Sequence, residues 1–140
     1  METYQLFIDG KWRDASSGET MPAINPYDQQ VHAQIPVATA GDVADAIAAA
    51  RRAFDSIWSK TTPGERARLL NKVADLLDAD ADRMALLETT DNGKVIRETS
   101  SQMGYAARIF RYYAGWADKL HGDAIPLDQK DTLDFAIRVP

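Results

Sequence analysis

The sequence has 140 residues, of which 45% are hydrophobic and 26% charged, a composition typical of about one globular domain. It contains no cysteine, which excludes disulfides, thiolate metal sites and a cysteine nucleophile within these residues. The net charge of −5 disfavours nucleic acid and anionic membranes as partners. No apolar run approaches the ~18 residues of a transmembrane helix, and no signal peptide is visible, so we expect a cytoplasmic protein.

Short strands are predicted at the start of the chain. Asp9-Gly10 lies between two apolar runs, which is the pattern of a tight β-hairpin. Residues 21–24 are expected to form a short strand, and residues 31–37 a second one, because apolar and polar residues alternate there. Pro36 places this second strand at a sheet edge or near its end.

Four helices are predicted to follow. The first two begin with capping boxes, Thr39 with Asp42 and Thr62 with Glu65, and the third ends at Asn92-Gly93. Apolar residues three and four apart mark the buried face of each helix. In chain order these residues are Val43, Ile47, Ala50, Phe54 and Ile57; Leu69, Leu70, Val73, Ala74, Leu76 and Leu77; Met84 and Leu87; and Met103, Ala106, Phe110, Tyr113, Ala114, Ala117 and Leu120.

The pattern of the last residues predicts a strand without a partner. His121-Gly122 is expected to end the fourth helix, and residues 133–139 alternate as a half-buried strand does. No neighbour for this strand is evident, and the earlier strands are too few and scattered to form a good sheet. The helical stripes also need a partner surface, since burial of each large side chain contributes ~1.5–3 kcal/mol. We therefore expect these residues to be part of a longer protein or to dock on a partner.

Three features suggest ligand sites, but each has a simpler interpretation. Residues 78–82 alternate aspartate and alanine like the start of a calcium loop, yet Arg83 stands where glycine is required, which favours a solvated helix junction. His32 and His121 have no carboxylate at ligand spacing and are interpreted as ordinary surface or capping residues. Residues 111–116 mix arginine with aromatics, but their helical phase favours packing, with Tyr112 beside Trp116, over nucleic-acid stacking.

These motifs resemble the N-terminal segment of the NAD(P)-dependent aldehyde dehydrogenase superfamily, from Leu6 to Pro140. Residues 87–94 and 112–119 are the most specific stretches. The matching stretches, in the family's order and spacing, are residues 6–12, 24–26, 43–54 with Trp58, Glu65-Arg66 with Leu69-Leu70, 87–94 and 112–119.

The resemblance implies an α/β fold class: short strands, four helices and the start of a β oligomerisation arm, incomplete alone. Family members have a cofactor-binding domain of Rossmann type, a catalytic domain and a small β arm that joins subunits. Residues 1–122 are similar to the segment that packs on the cofactor-binding domain, and residues 123–140 to the start of the arm. The complete enzyme is then expected to be a homodimer or homotetramer.

The resemblance also implies an activity that these residues alone do not supply. The family oxidises an aldehyde substrate to a carboxylic acid with NAD or NADP, through a thiohemiacetal on a cysteine, a glutamate-activated water and an oxyanion-binding asparagine. All three side chains lie beyond this segment, so no catalytic and no cofactor-binding residue is assigned, and the chain is expected to be inactive alone. The alternative is a non-catalytic interaction module that docks through an exposed helix stripe and an edge strand.

One set of site residues follows from the resemblance. Some family members hold a monovalent cation, K⁺ or Na⁺, partly through backbone carbonyls at the positions that match Ala23, Ile24 and Asp91. Carbonyl oxygens suit a hard cation. Ala23 stands where threonine is common, a change that a carbonyl ligand tolerates. The alternative interpretation is that Asp91 only ends a helix.

Overall fold

The computed structural model describes residues 2–138. Its strands are β1 (Glu2–Thr3), β2 (Leu6–Ile8), β3 (Lys11–Arg13), β4 (Thr20–Ile24), β5 (Val31–Pro36), β6 (Ala124–Ile125) and β7 (Asp134–Phe135). Its helices are α1 (Ala40–Ser56), α2 (Pro63–Ala79), α3 (Ala81–Asn92) and α4 (Ile96–Trp116), with a short 3₁₀ helix at Trp58–Lys60. No helix among these residues is long and apolar enough to cross a membrane.

The N-terminal strands form a hairpin and a small sheet. β2 and β3 pair antiparallel through the predicted turn, where Asp9 and Gly10 take positive φ angles. The expectation that the strands are too few and scattered to form a good sheet was wrong, because β5 pairs with β1 on one side and β4 on the other. The β4–β5 register shifts between Ala23 and Ile24. The parallel β1–β5 pairing was missed because a two-residue strand has no detectable period.

Both predicted capping boxes are confirmed. Thr39 caps α1, accepting from the amide of Asp42, and Thr62 caps α2, accepting from the amide of Glu65. In each case the acidic side chain accepts in return from the backbone amide of the threonine, so two otherwise unpaired helix-end amides are satisfied. These helix starts follow from residues within one turn, which is why the sequence predicts them well.

α4 packs on α2 and α3 through small side chains. Ala74 of α2, Ala85 of α3 and Ala107 of α4 are fully buried. Thr99 of α4 is also fully buried, and its hydroxyl lies 2.8 Å from that of Thr89 in α3. All buried hydrophobic residues in the described part of the chain are alanines, so the helices approach closely while their larger side chains stay partly exposed.

The predicted face of α1 is largely exposed, whereas that of α2 is buried at Ala74 and exposed at its edge. Val43 is 50% exposed and Ile47 is 65% exposed, although both lie on the α1 stripe. On α2, Leu69 and Leu76 are 52% and 56% exposed. α1 instead turns its alanine side, including Ala49, toward the β2–β3 hairpin. α4 covers the part of the α2 face around Ala74, but no described residue covers Val43, Ile47, Leu69 or Leu76 fully.

The end of the chain differs from the prediction in two ways. α4 ends at Trp116, so Leu120 lies outside the helix, and Tyr113 of the predicted stripe is 58% exposed. The last strand is not unpaired: β7 pairs antiparallel with β6. It covers two residues rather than the predicted 133–139, of which Val139 lies outside the described residues together with Pro140.

Candidate functional site

A cavity of about 410 Å³ lies between the small sheet and helices α3 and α4. Its walls combine apolar side chains with a few ionisable ones, the usual make-up of a ligand or ion site. The lining residues are Tyr4, Ala23, His32, Ile35, Met84, Leu87, Glu88, Asp91 and Met103.

The cavity brings together two of the three residues predicted to bind a cation. Ala23 of β4 and Asp91 of α3 both line it, although they are far apart in sequence. Ile24 follows the irregularity in β4, is 49% exposed and is not among the described lining residues. Asp91 lies in the last turn of α3, where backbone carbonyls have no partner within the helix and the helix dipole favours a cation.

His32 lies at this cavity rather than on an open surface. Its Nε2 atom is 3.5 Å from the Oδ1 atom of Asp91, and its side chain is 18% exposed. Nε2 is buried without a hydrogen bond among the described residues. No local pattern in the sequence predicts this pair, because the strand and the helix come together only through the tertiary fold. The interpretation of His32 as an ordinary surface residue was therefore wrong.

The end of α3 is held in place by polar contacts and one close backbone approach. Lys94 donates to Glu88 at 2.6 Å and to Gln102 at 3.1 Å, and the ammonium lowers the pKa of the Glu88 carboxyl. Gly93 has a φ of +78°, and a Cβ atom there would come 2.8 Å from Cγ of Pro26. Glycine is thus required both for the left-handed turn and for packing against the β4–β5 loop.

The acidic run at the α2–α3 junction binds arginines. Arg83 donates to Asp80, and Arg111 of α4 lies 2.7 Å from Asp78 and 2.8 Å from Asp75. No group of three or more histidine, aspartate or glutamate side chains in residues 2–138 is arranged to hold a metal ion. The interpretation of residues 78–82 as a helix junction agrees with these ion pairs.

A second cavity, of about 400 Å³, lies where α2 meets the end of α4, and we call it the aromatic groove. The predicted pairing of Tyr112 with Trp116 is confirmed, with ring centroids 6.4 Å apart. The guanidinium of Arg66 lies 5.6 Å from the ring centroid of Trp58. The lining residues are Trp58, Arg66, Leu70, Tyr112, Tyr113, Trp116, Ala117 and Leu120.

Comparison with known proteins defines the class to which this fold belongs. The aldehyde dehydrogenase family model matches residues 12–140. The structure of an NAD-dependent aldehyde dehydrogenase from Sinorhizobium meliloti superposes with a TM-score of 0.89 at 39% identity, over 94% of this chain and 26% of that chain. The chain therefore belongs to the aldehyde dehydrogenase family.

Curated relatives agree with that assignment. The chain is 46% identical, over its whole length, to 28% of (Z)-2-((N-methylformamido)methylene)-5-hydroxybutyrolactone dehydrogenase from Acinetobacter baylyi. It is 42% identical over 96% of its length to 27% of an aldehyde dehydrogenase from Aspergillus niger. The chain thus spans about a quarter of the length of these relatives.

Proposed function

We propose that this chain is the N-terminal portion of an NAD(P)-dependent aldehyde dehydrogenase and is inactive alone. The observation that carries the proposal is the exposure of the α1 stripe and of the α2 side that includes Leu69 and Leu76, in a chain whose fold matches 26% of a solved dehydrogenase chain. Exposed apolar surface of this extent favours burial against a further part of the protein. Residues 1–122 pack on the cofactor-binding domain, and residues 123–140 begin the oligomerisation arm of a homodimer or homotetramer.

The chemistry belongs to the complete enzyme. There a cysteine thiolate would add to the aldehyde to form a thiohemiacetal, and NAD or NADP, when bound, would supply the hydride acceptor that oxidises this adduct to a thioester, which water would hydrolyse to the acid. This chain has no cysteine, so it cannot form the covalent intermediate. In this proposal the residues of the chain have a structural role, because they support the domain that binds the cofactor. A cytoplasmic location stays a prediction.

Two assays test this proposal. The purified chain is incubated with NAD or NADP and a panel of aldehydes, and we expect no NADH or NADPH above a buffer blank. A chimera, in which this chain replaces the matching 28% of the Acinetobacter baylyi dehydrogenase, is expected to form NADH with that relative's substrate. Turnover by the chain alone contradicts its inactivity, and a folded but inactive chimera contradicts its place in the enzyme.

We also propose that the carbonyls of Ala23, Ile24 and Asp91 contribute to a monovalent cation site. Support comes from the shared cavity of Ala23 and Asp91 and from the position of Asp91 in the last turn of α3, where the helix dipole favours a cation. A cation that binds only the folded state raises the unfolding temperature. The chimera is therefore expected to unfold at higher temperature in K⁺ or Na⁺ than in choline at equal ionic strength. Equal unfolding temperatures contradict the site.

The exposed α1 stripe favours one alternative function, a non-catalytic interaction module. Val43 and Ile47 are half or more exposed on one helix face, so the chain could dock on a partner without taking part in catalysis. This alternative predicts that the mass measured by light scattering rises with protein concentration. A monomer at all concentrations, with a sharp thermal unfolding transition, contradicts it.

A further inference from the structure

Arg66 is a half-buried arginine in an apolar setting. It belongs to α2, lines the aromatic groove and has its guanidinium over the ring of Trp58. Its Nε atom is buried and has no hydrogen-bond acceptor among the described residues. A buried donor without a partner costs free energy, and stacking on one aromatic face offsets only part of that cost.

Other arginines of the helical region show what Arg66 lacks. Arg111 binds the carboxylates of Asp75 and Asp78, and Arg83 binds Asp80. Within residues 2–138 no carboxylate lies within ion-pair distance of Arg66. The aromatic groove therefore presents a cation without a carboxylate partner at the side of a largely apolar cavity.

We propose that the aromatic groove is the docking site of a polypeptide segment that carries a carboxylate between apolar side chains. Its carboxylate binds the guanidinium of Arg66, and its apolar neighbours pack against Tyr112 and Trp116. The segment comes from the part of the dehydrogenase subunit that this chain does not span, so its source rests on the proposed function.

Charge and size support this occupant. A planar guanidinium donates two parallel hydrogen bonds to a carboxylate, and such bonds are stronger in a partly dehydrated site. A volume of about 400 Å³ accommodates a few side chains rather than a folded domain. The net charge of −5 disfavours an anionic membrane surface as the occupant.

Nuclear magnetic resonance of the ¹⁵N-labelled chain tests the proposal with two peptides. The first probe is acetyl-Leu-Glu-Phe-Leu-amide, and the second is the same peptide with glutamine in place of glutamate. We expect the first peptide to shift the indole signals of Trp58 and Trp116, which line the groove, while that of Trp12 on the β2–β3 hairpin stays unchanged. The glutamine peptide is expected to bind about tenfold more weakly, since it lacks the charge.

Two substitutions separate the groove from general charge effects. Arg66→Met keeps the apolar stem and is expected to remove the difference between the two peptides. Arg68→Met, an exposed position on the same helix that lines a different cavity, is expected to keep it. Equal affinity of the two peptides, absence of binding to the wild-type chain, or the same loss in both variants overturns the proposal.

The peptide-binding measurement does not depend on enzyme activity, so the docking proposal and the proposed function are tested separately. Peptide discrimination with an inactive chimera supports the groove and contradicts the proposed function. An active chimera without peptide discrimination supports the proposed function and overturns the docking proposal.

Discussion

At the scale of single residues, Asp42 joins three segments of the chain. Its carboxylate, 3% exposed, accepts from the amides of Thr39 and Ser16 and lies 3.3 Å from the guanidinium of Arg13. The amide hydrogen bonds of Thr39 and Ser16, in that order, lower the pKa of Asp42 from 3.8 to about 2. Because each of these bonds favours the charged form, protonation of Asp42 weakens the junction of α1 with the β3–β4 loop.

The pKa of Asp42 leads to a prediction on stability in acid. A carboxyl whose pKa is lower in the folded state contributes stability above its unfolded value of 3.8, and this is lost as pH falls toward about 2. We expect the free energy of unfolding of the wild-type chain to fall more steeply over this interval than that of Asp42→Asn. Urea titrations at several pH values in this interval measure the free energy of unfolding of both proteins. If the two free energies fall in parallel with pH, the lowered pKa of Asp42 is contradicted.

Gly93 gives a second prediction at this scale. Gly93→Ala is expected to destabilise the chain by about 1–2 kcal/mol, because a side chain at its φ of +78° is strained and its Cβ meets Pro26. Gly104→Ala, in the interior of α4 with open space around it, is the matched control and is expected to stabilise by about 0.5–1 kcal/mol. Thermal or urea unfolding measures both changes, and an equal effect of the two substitutions contradicts the account.

At the scale of the elements, α2 and α4 are joined by small buried side chains and one polar clamp. Ala74 and Ala107 allow the close approach, while Arg111 reaches from α4 to Asp75 and Asp78 of α2. These acidic residues raise the pKa of Arg111, with Asp75 contributing more than Asp78. Because the arginine is 41% exposed, solvent and salt screen its ion pairs with the two aspartates and reduce their contribution to stability.

We therefore expect Arg111→Met to lower the free energy of unfolding by less than about 1 kcal/mol at low salt, and by less still at high salt. Arg108→Met, an exposed position three residues earlier on α4, serves as the control and is expected to be near neutral. Urea unfolding at two salt concentrations measures the difference. A larger loss at high salt than at low salt would contradict an electrostatic origin.

Some of these features can be predicted from the sequence and others cannot. The difference is the distance along the chain between the residues that form each feature. The capping boxes at Thr39 and Thr62 and the turn at Gly10 depend on neighbouring residues, and all three are confirmed. The pairing of His32 with Asp91 and that of β6 with β7 depend on segments brought together by folding, and both were missed. Helical periodicity identifies an apolar face but does not identify the surface that covers it.

At the scale of the whole molecule, two apolar regions of the described chain are exposed to solvent. The stripe of α1, which includes Ile47, and the outer face of α2, which includes Leu69 and Leu76, are exposed. The pairing of β7 with β6 shows that the C-terminal segment is not wholly unpaired, so the proposal that further residues cover this chain rests on the helical faces rather than on a free strand. The match to about a quarter of its relatives agrees with this reading.

Amide hydrogen exchange over α1 and α2 tests this central claim most directly, by comparing the isolated chain with the chimera. If the remaining part of the subunit covers these faces, their amides exchange at least about tenfold more slowly in the chimera, because local opening then requires exposure of buried apolar surface. The β2–β3 turn at Asp9 and Gly10 provides an internal reference, for which we expect little change. Equal exchange of α1 and α2 in both proteins would show that their apolar faces stay open and would contradict the account.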